Sequence, residues 1–193
     1  MNFRLIYEGP LSSSRSATPK EKQAIRRVLH PQLAELWRQP PLLGLVEEHS
    51  AFNENAFGPG NVLMIVRRGN FAFVPVVSTR LKLICHLDIL FLRPGPPGSL
   101  VGHGGDIDNR LKTLFDALQM PDLNQVTDEV LLEGETPFFC LLEDDALVTR
   151  VTVETDRLLK GEGSPIEPSR VLLVLNVTLK ATELMYLNMD LVS

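Results

Sequence analysis

The sequence predicts an α+β fold, a mixed β-sheet packed against helices in one domain, and three observations predict it. Several segments alternate apolar and polar residues with the period of a strand, among them ALVTRVTVET (146–155) and RVLLVLNVTLKA (170–181). One segment, 108–119, has the period of a helix, with Leu111, Leu114, Phe115 and Leu118 on a single stripe. The order of strands and helices shows no regular βα alternation, which points away from a doubly wound parallel sheet.

Residues 3–8 (FRLIYE) read as a strand ended by Gly9-Pro10, and the Ser-rich stretch SSSRSATP reads as a mobile loop. Thr18 before Pro19 and Glu21 marks a helix start. That helix is expected to break or kink at Pro31, with a second short helix through Leu33, Leu36 and Trp37. Trp37 sits on the apolar face, so it reads as core rather than as a base-stacking platform. Residues 40–60 look like a long irregular connection. NVLMIVRR and FAFVPVV, joined by Gly69-Asn70, predict a hairpin. RLKLICHLDILFL (80–92) reads as a sheet strand, and RPGPPGSLVGHGG (93–105) as a loop. One helical turn is expected at 127–132, and FFCLL leads into Glu143-Asp144-Asp145. The expected organisation is a single domain over 1–193 with insertions around 20–60 and 119–142.

Composition narrows the function classes. Two cysteines, Cys85 and Cys140, lie inside apolar runs and read as buried thiols, consistent with a cytoplasmic location. No close Cys/His set suggests structural zinc. No apolar run is long enough for a transmembrane helix and the first residues do not resemble a signal peptide, so no membrane partner is expected. The net charge of −5 opposes nucleic-acid binding taken at face value. The charge is uneven, however: residues 1–120 carry 14 Lys/Arg against 10 Asp/Glu, and residues 121–193 carry 5 against 14. The cations cluster at Lys20, Lys22, Arg26 and Arg27, at Arg67 and Arg68, and at Arg80 and Lys82.

The chemistry-bearing candidates are acidic. In an extended segment the carboxylates of Asp106 and Asp108 point to one side, and their repulsion favours a hard divalent cation between them. Asp144 and Asp145 offer further carboxylates. Such a site suits phosphodiester hydrolysis, which needs an activated water and positive charge where negative charge develops. Lys112, one helical turn from Asp108, is placed to stabilise a phosphate, and Asp116 to pair with Lys112. Each feature also has an ordinary reading: Asp108 as a helix cap, Lys112–Asp116 as a surface ion pair, and 143–145 as an acidic turn. His103, three residues before Asp106, reads as a solvated loop residue with an approach to the same site as the alternative.

The order and spacing of Asp106-Ile-Asp108-Asn109-Arg-Leu-Lys112-Thr-Leu-Phe-Asp116-Ala-Leu118, followed by Asp144-Asp145-Ala146 at the head of an alternating strand, resemble the signature of the RusA-like Holliday junction resolvases. The gap between the two blocks is longer than is usual in that family. The resemblance implies a RusA-like resolvase fold with insertions and a homodimer acting on branched DNA. It further implies a hydrolase of DNA recombination and repair, an endonuclease that depends on Mg²⁺ (or Mn²⁺) and nicks four-way junctions. By the same resemblance Asp106, Asp108 and Asp145 are the metal-binding and catalytic carboxylates and Lys112 the catalytic lysine, with Asn109, Asp116 and Asp144 in support. The alternative is a catalytically inactive module of this fold that binds nucleic acid or a protein partner.

Overall fold

The computed structural model describes residues 1–55, 62–94, 107–126, 129–159 and 169–192. Its architecture is mixed α+β, as the sequence predicts, with two sheets and helices packed between and against them. Sheet A joins β1 (Asn2–Pro10), β7 (Arg170–Ala181), β4 (Leu83–Arg93) and β6 (Val148–Arg157) in the order β1-β7-β4-β6. β7 runs antiparallel to both neighbours, and β6 runs parallel to β4. Sheet B joins β2 (Val66–Arg68), β3 (Phe71–Val77) and β5 (Phe138–Leu142), with β3 and β5 parallel. The Gly69-Asn70 hairpin forms as expected, Gly69 taking a φ of 58° that its missing Cβ permits.

The alternation read from the sequence sets the layers. Leu83, Cys85, Leu87, Ile89 and Phe91 of β4 and Val171, Leu173, Leu175, Val177 and Leu179 of β7 are buried on one face of sheet A. Each such side chain contributes about 1.5–3 kcal/mol by leaving water. The opposite face is half-exposed and mixed: Ile6, Ile84, Leu90, Leu92, Leu172 and Val174 share it with the Arg4–Asn176, Glu8–Arg170 and Asp88–Arg150 contacts. Both cysteines are buried and free, and burial raises each thiol to about 12. No helix among the described residues is long and apolar enough to cross a membrane.

Helix α1 (Pro19–Trp37) begins as expected, with a capping box. Glu21 N–H donates to Thr18 Oγ1 at 3.2 Å, and Thr18 N–H donates to the Glu21 carboxylate at 2.7 Å. It does not stop at Pro31. One helix continues to Trp37, where the sequence led us to expect a break and a second helix. Pro31 lies on the exposed side, while Leu29, His30, Leu33, Ala34 and Trp37 are all buried on the other. Packing along that face outweighs one lost backbone hydrogen bond. Trp37 is core, 1% exposed. The 40–60 connection contains a short helix, α2 (Leu42–Glu47). Of the helical turn expected at 127–132, residues 127–128 lie outside the described residues and 129–132 form no helix; a short helix, α4 (Leu123–Val126), lies just upstream. Helix α3 (Ile107–Leu118) matches the apolar stripe that predicts it, and α5 (Met189–Val192) closes the chain.

Candidate functional site

Helix α3 carries the first acidic block, and its two ends have different neighbours. Asp106 and His103 lie outside the described residues. Asp108 stands in the first turn, exposed, and its Oδ1 accepts a long 3.4 Å contact from Asn109 Nδ2. Asn109 is held by the Ser-rich segment: Ser14 N–H donates to its carbonyl at 2.9 Å, and Ser14 Oγ donates to Oδ1 at 2.9 Å. Arg110 Nη1 reaches the Leu11 carbonyl at 2.9 Å. The segment read as a mobile loop is therefore pinned to the start of α3, which sets exposed Arg15 beside that first turn. A run of serines gives no hint of which backbone it will bind.

Lys112, one turn on, is exposed and makes no hydrogen bond or ion pair among the described residues. Its expected partner is taken: Asp116 Oδ2 accepts instead from Lys22 Nζ at 2.6 Å, with both side chains largely buried. The reason is helix packing. Asp116 faces α1, and α1 presents Lys22 and Arg26 to α3. The Arg26 guanidinium donates to the carbonyls of Asp116 and Gln119, satisfying last-turn groups that α3 leaves without intrahelical partners. Burial lowers Arg26 to about 10, so it remains protonated at neutral pH.

The far end of α3 meets the second acidic block. Gln119 Oε1 accepts from Asp145 N–H at 3.1 Å, and Met120 N–H donates to the Leu142 carbonyl at 2.9 Å. Within Glu143-Asp144-Asp145, two carboxylates have local duties. Glu143 accepts from Thr79 N–H at 2.7 Å and Oγ1 at 2.8 Å, and Asp144 caps the 3-10 turn Asp145–Leu147 by accepting from Ala146 N–H at 2.8 Å. The Asp145 carboxylate is exposed and has no hydrogen bond or ion pair among the described residues.

Asp108 and Asp145 are thus at opposite ends of α3, whose ten-residue advance from Asp108 to Leu118 is a rise of about 15 Å. The donors are hard oxygens of the kind Mg²⁺ takes. Asp106, the third carboxylate of the expected set, lies outside the described residues. No cluster of three or more His, Cys, Asp or Glu able to hold a metal occurs among the described residues.

The basic clusters also change meaning. Lys22 is bound to Asp116, Arg26 to the end of α3, and Arg27 to Glu129 and buried Glu135 at 3.0 and 2.7 Å. Arg67 pairs with Glu54, Arg68 with Asp122, and Lys82 with Glu183, while Arg80 reaches the Leu63 carbonyl. Most of the cations that suggested a phosphate surface have partners within the chain: Lys22, Arg26 and Arg27 are held in largely buried contacts, while Arg67, Arg68 and Lys82 are in more exposed ion pairs. Lys20, Arg15 and Lys112 remain exposed and unpaired among the described residues.

Sequence reasoning missed Ser14, Lys22 and Gln119 as the groups that fix α3 in place. A basic residue near the start of an earlier helix was the only available signal, and it pointed toward DNA rather than toward Asp116. Compared with known proteins, the chain matches no family model, no curated protein and no solved structure.

Proposed function

We propose that this chain is a metal-dependent DNA endonuclease that acts as a homodimer on four-way junctions, in the manner of the RusA-like resolvases it resembles. The observation that carries the reading is the set Asp108, Lys112 and Asp145. These three lie on blocks that agree with the family signature in order, and all three are exposed and free of ion pairs among the described residues. Charged groups with structural work, such as Asp116 and Lys22, are paired and largely buried. Lys112 beside Asp108 suits a phosphate whose charge builds during hydrolysis. Mg²⁺ or Mn²⁺ would be held by the carboxylates of Asp106, Asp108 and Asp145, hard oxygen donors of the kind these ions take.

The test is incubation of the purified chain with a synthetic four-way DNA junction and Mg²⁺ or Mn²⁺. Paired nicks are expected, with a loss of about 100-fold or more on Lys112→Met. Folding of that variant should be unchanged, since Lys112 has no partner among the described residues to lose. Absence of cleavage with every divalent metal, or undiminished cleavage by Asp106→Asn, would overturn the reading. One observation favours a second reading, a non-catalytic module: Lys22, Arg26, Arg27, Arg67 and Arg68 are bound internally, which reduces the positive surface for DNA. A folded chain that neither cuts nor binds the junction would support it, with a protein rather than DNA as the partner.

A further inference from the structure

One stretch of surface runs against the acidic character of the chain. The segment after β1 lies along α3 and is tied to it at three places. Arg110 Nη1 donates to the Leu11 carbonyl at 2.9 Å, Ser14 donates to Asn109 through its N–H and its Oγ, and Lys22 Nζ meets Asp116 at 2.6 Å. From Asn109 to Asp116 the helix advances about 10 Å, the axial length of about three phosphates on one DNA strand.

This lane carries the cations Arg15, Lys20, Lys22 and Lys112. Of the acids beside it, Asp116 is matched by Lys22. Glu21 is taken up in the cap of α1, accepting from Thr18 N–H and from Ser12 Oγ, each at 2.7 Å. Asp108 is the carboxylate that the nuclease reading gives to a metal. Arg15, Lys20 and Lys112 are left exposed and without a partner among the described residues.

The segment holds the backbone of Arg15 in place. Ser13 O accepts from Ser16 N–H and Ala17 N–H, each at 2.9 Å, and from Ser16 Oγ at 3.1 Å, which closes a turn around Arg15. The two Ser14–Asn109 hydrogen bonds, both 2.9 Å, fasten that turn to α3 beside Asp108 and one helical turn from Lys112. A residue so held has less freedom left to lose when its side chain grips a ligand. The guanidinium presents a planar fork of donors that matches two oxygens of a phosphate.

We propose that Arg15 binds a backbone phosphate of the DNA neighbouring the one at Asp108 and Lys112, and that Ser14 positions it. The ligand rests on the nuclease reading, and the work of the site is divided. Lys112 offsets charge that builds in the reaction, whereas Arg15 holds a phosphate that does not react and needs no metal to do so. Phosphate contacts fix register and orientation on DNA, so Arg15 sets which bond of the strand reaches Asp108.

The test measures binding of a synthetic four-way junction in EDTA over a range of salt, with cleavage in Mg²⁺ in parallel. Arg15→Gln should weaken binding by about tenfold and lower the slope of log K against log salt by about one. In cleavage it should raise KM by more than it lowers kcat, whereas Lys112→Met should act mainly on kcat. Arg15→Lys keeps the charge and loses the fork, so it should keep the salt slope. Ser14→Ala changes no charge; it should weaken binding by about threefold in the wild type and have no effect in the Arg15→Gln protein. A wild type that does not bind without metal would overturn the proposal. So would an Arg15→Gln protein with the wild-type affinity and slope, or a Ser14→Ala loss that persists beside Arg15→Gln. Binding that depends on Arg15 without any cleavage would sink the nuclease reading and leave this one standing; cleavage indifferent to Arg15 would do the reverse.

Discussion

The two edges of sheet A are built from similar strands and end differently. β1 and β6 are nine and ten residues long and each pairs with one neighbour. β1 lies under α1, so Gln32 reaches its free backbone and satisfies both groups of Ile6. β6 follows a 3-10 turn at the far end of α3, and no described helix reaches its free side. Its own charges, Arg150, Glu154, Asp156 and Arg157, guard it instead, as charged side chains do on an edge strand. The difference teaches that one edge is closed by a side chain from a neighbouring helix and the other by its own sequence.

The largest effect is expected from stripping charge from β6. Arg150→Val with Glu154→Val removes two of its four charges and leaves a β-branched edge, so species larger than those of the wild type should grow with concentration. Stability should change by about 0.5 kcal/mol or less, because both side chains are exposed. Light scattering and a denaturant titration read the two effects separately. A lesser effect is expected from opening the closed edge. Gln32→Ala removes the clamp on Ile6 and should cost about 1 kcal/mol of stability. It should also free a backbone edge, visible as species larger than those of the wild type in light scattering as concentration rises. If the Gln32→Ala protein assembles no further than the wild type, a free edge is not what drives association here.

Much of the fold was legible because its signals are local. The alternation in 83–93 and 170–181, the apolar stripe from Leu111 to Leu118 and the Gly69-Asn70 turn each specify their element within a few residues. The parallel pairing of β4 with β6 is not local, since Leu87 and Val151 meet across a long stretch of chain and neither residue names the other. α1 was misread at Pro31 for a related reason: its continuation depends on buried contacts of Leu33 and Trp37 rather than on propensity. The site was legible in part. The spacing of Asp108 and Lys112 placed both on an exposed helical surface, but Asp116 could not be assigned without knowing that α1 brings Lys22 to it. Nor could the gap between the blocks reveal that the Asp145 amide meets Gln119, just past the last turn of α3.

Cleavage of a synthetic four-way junction by single variants is the most direct measurement. With Mg²⁺ or Mn²⁺ the wild-type chain should nick the junction in pairs. Asp108→Asn, Lys112→Met and Asp145→Asn should each lower the rate by about 100-fold or more while folding as the wild type does, since none of the three has an ion pair among the described residues to lose. A wild type that cuts, beside an Asp145→Asn protein that cuts as fast, would contradict the assignment of both acidic blocks to one reaction.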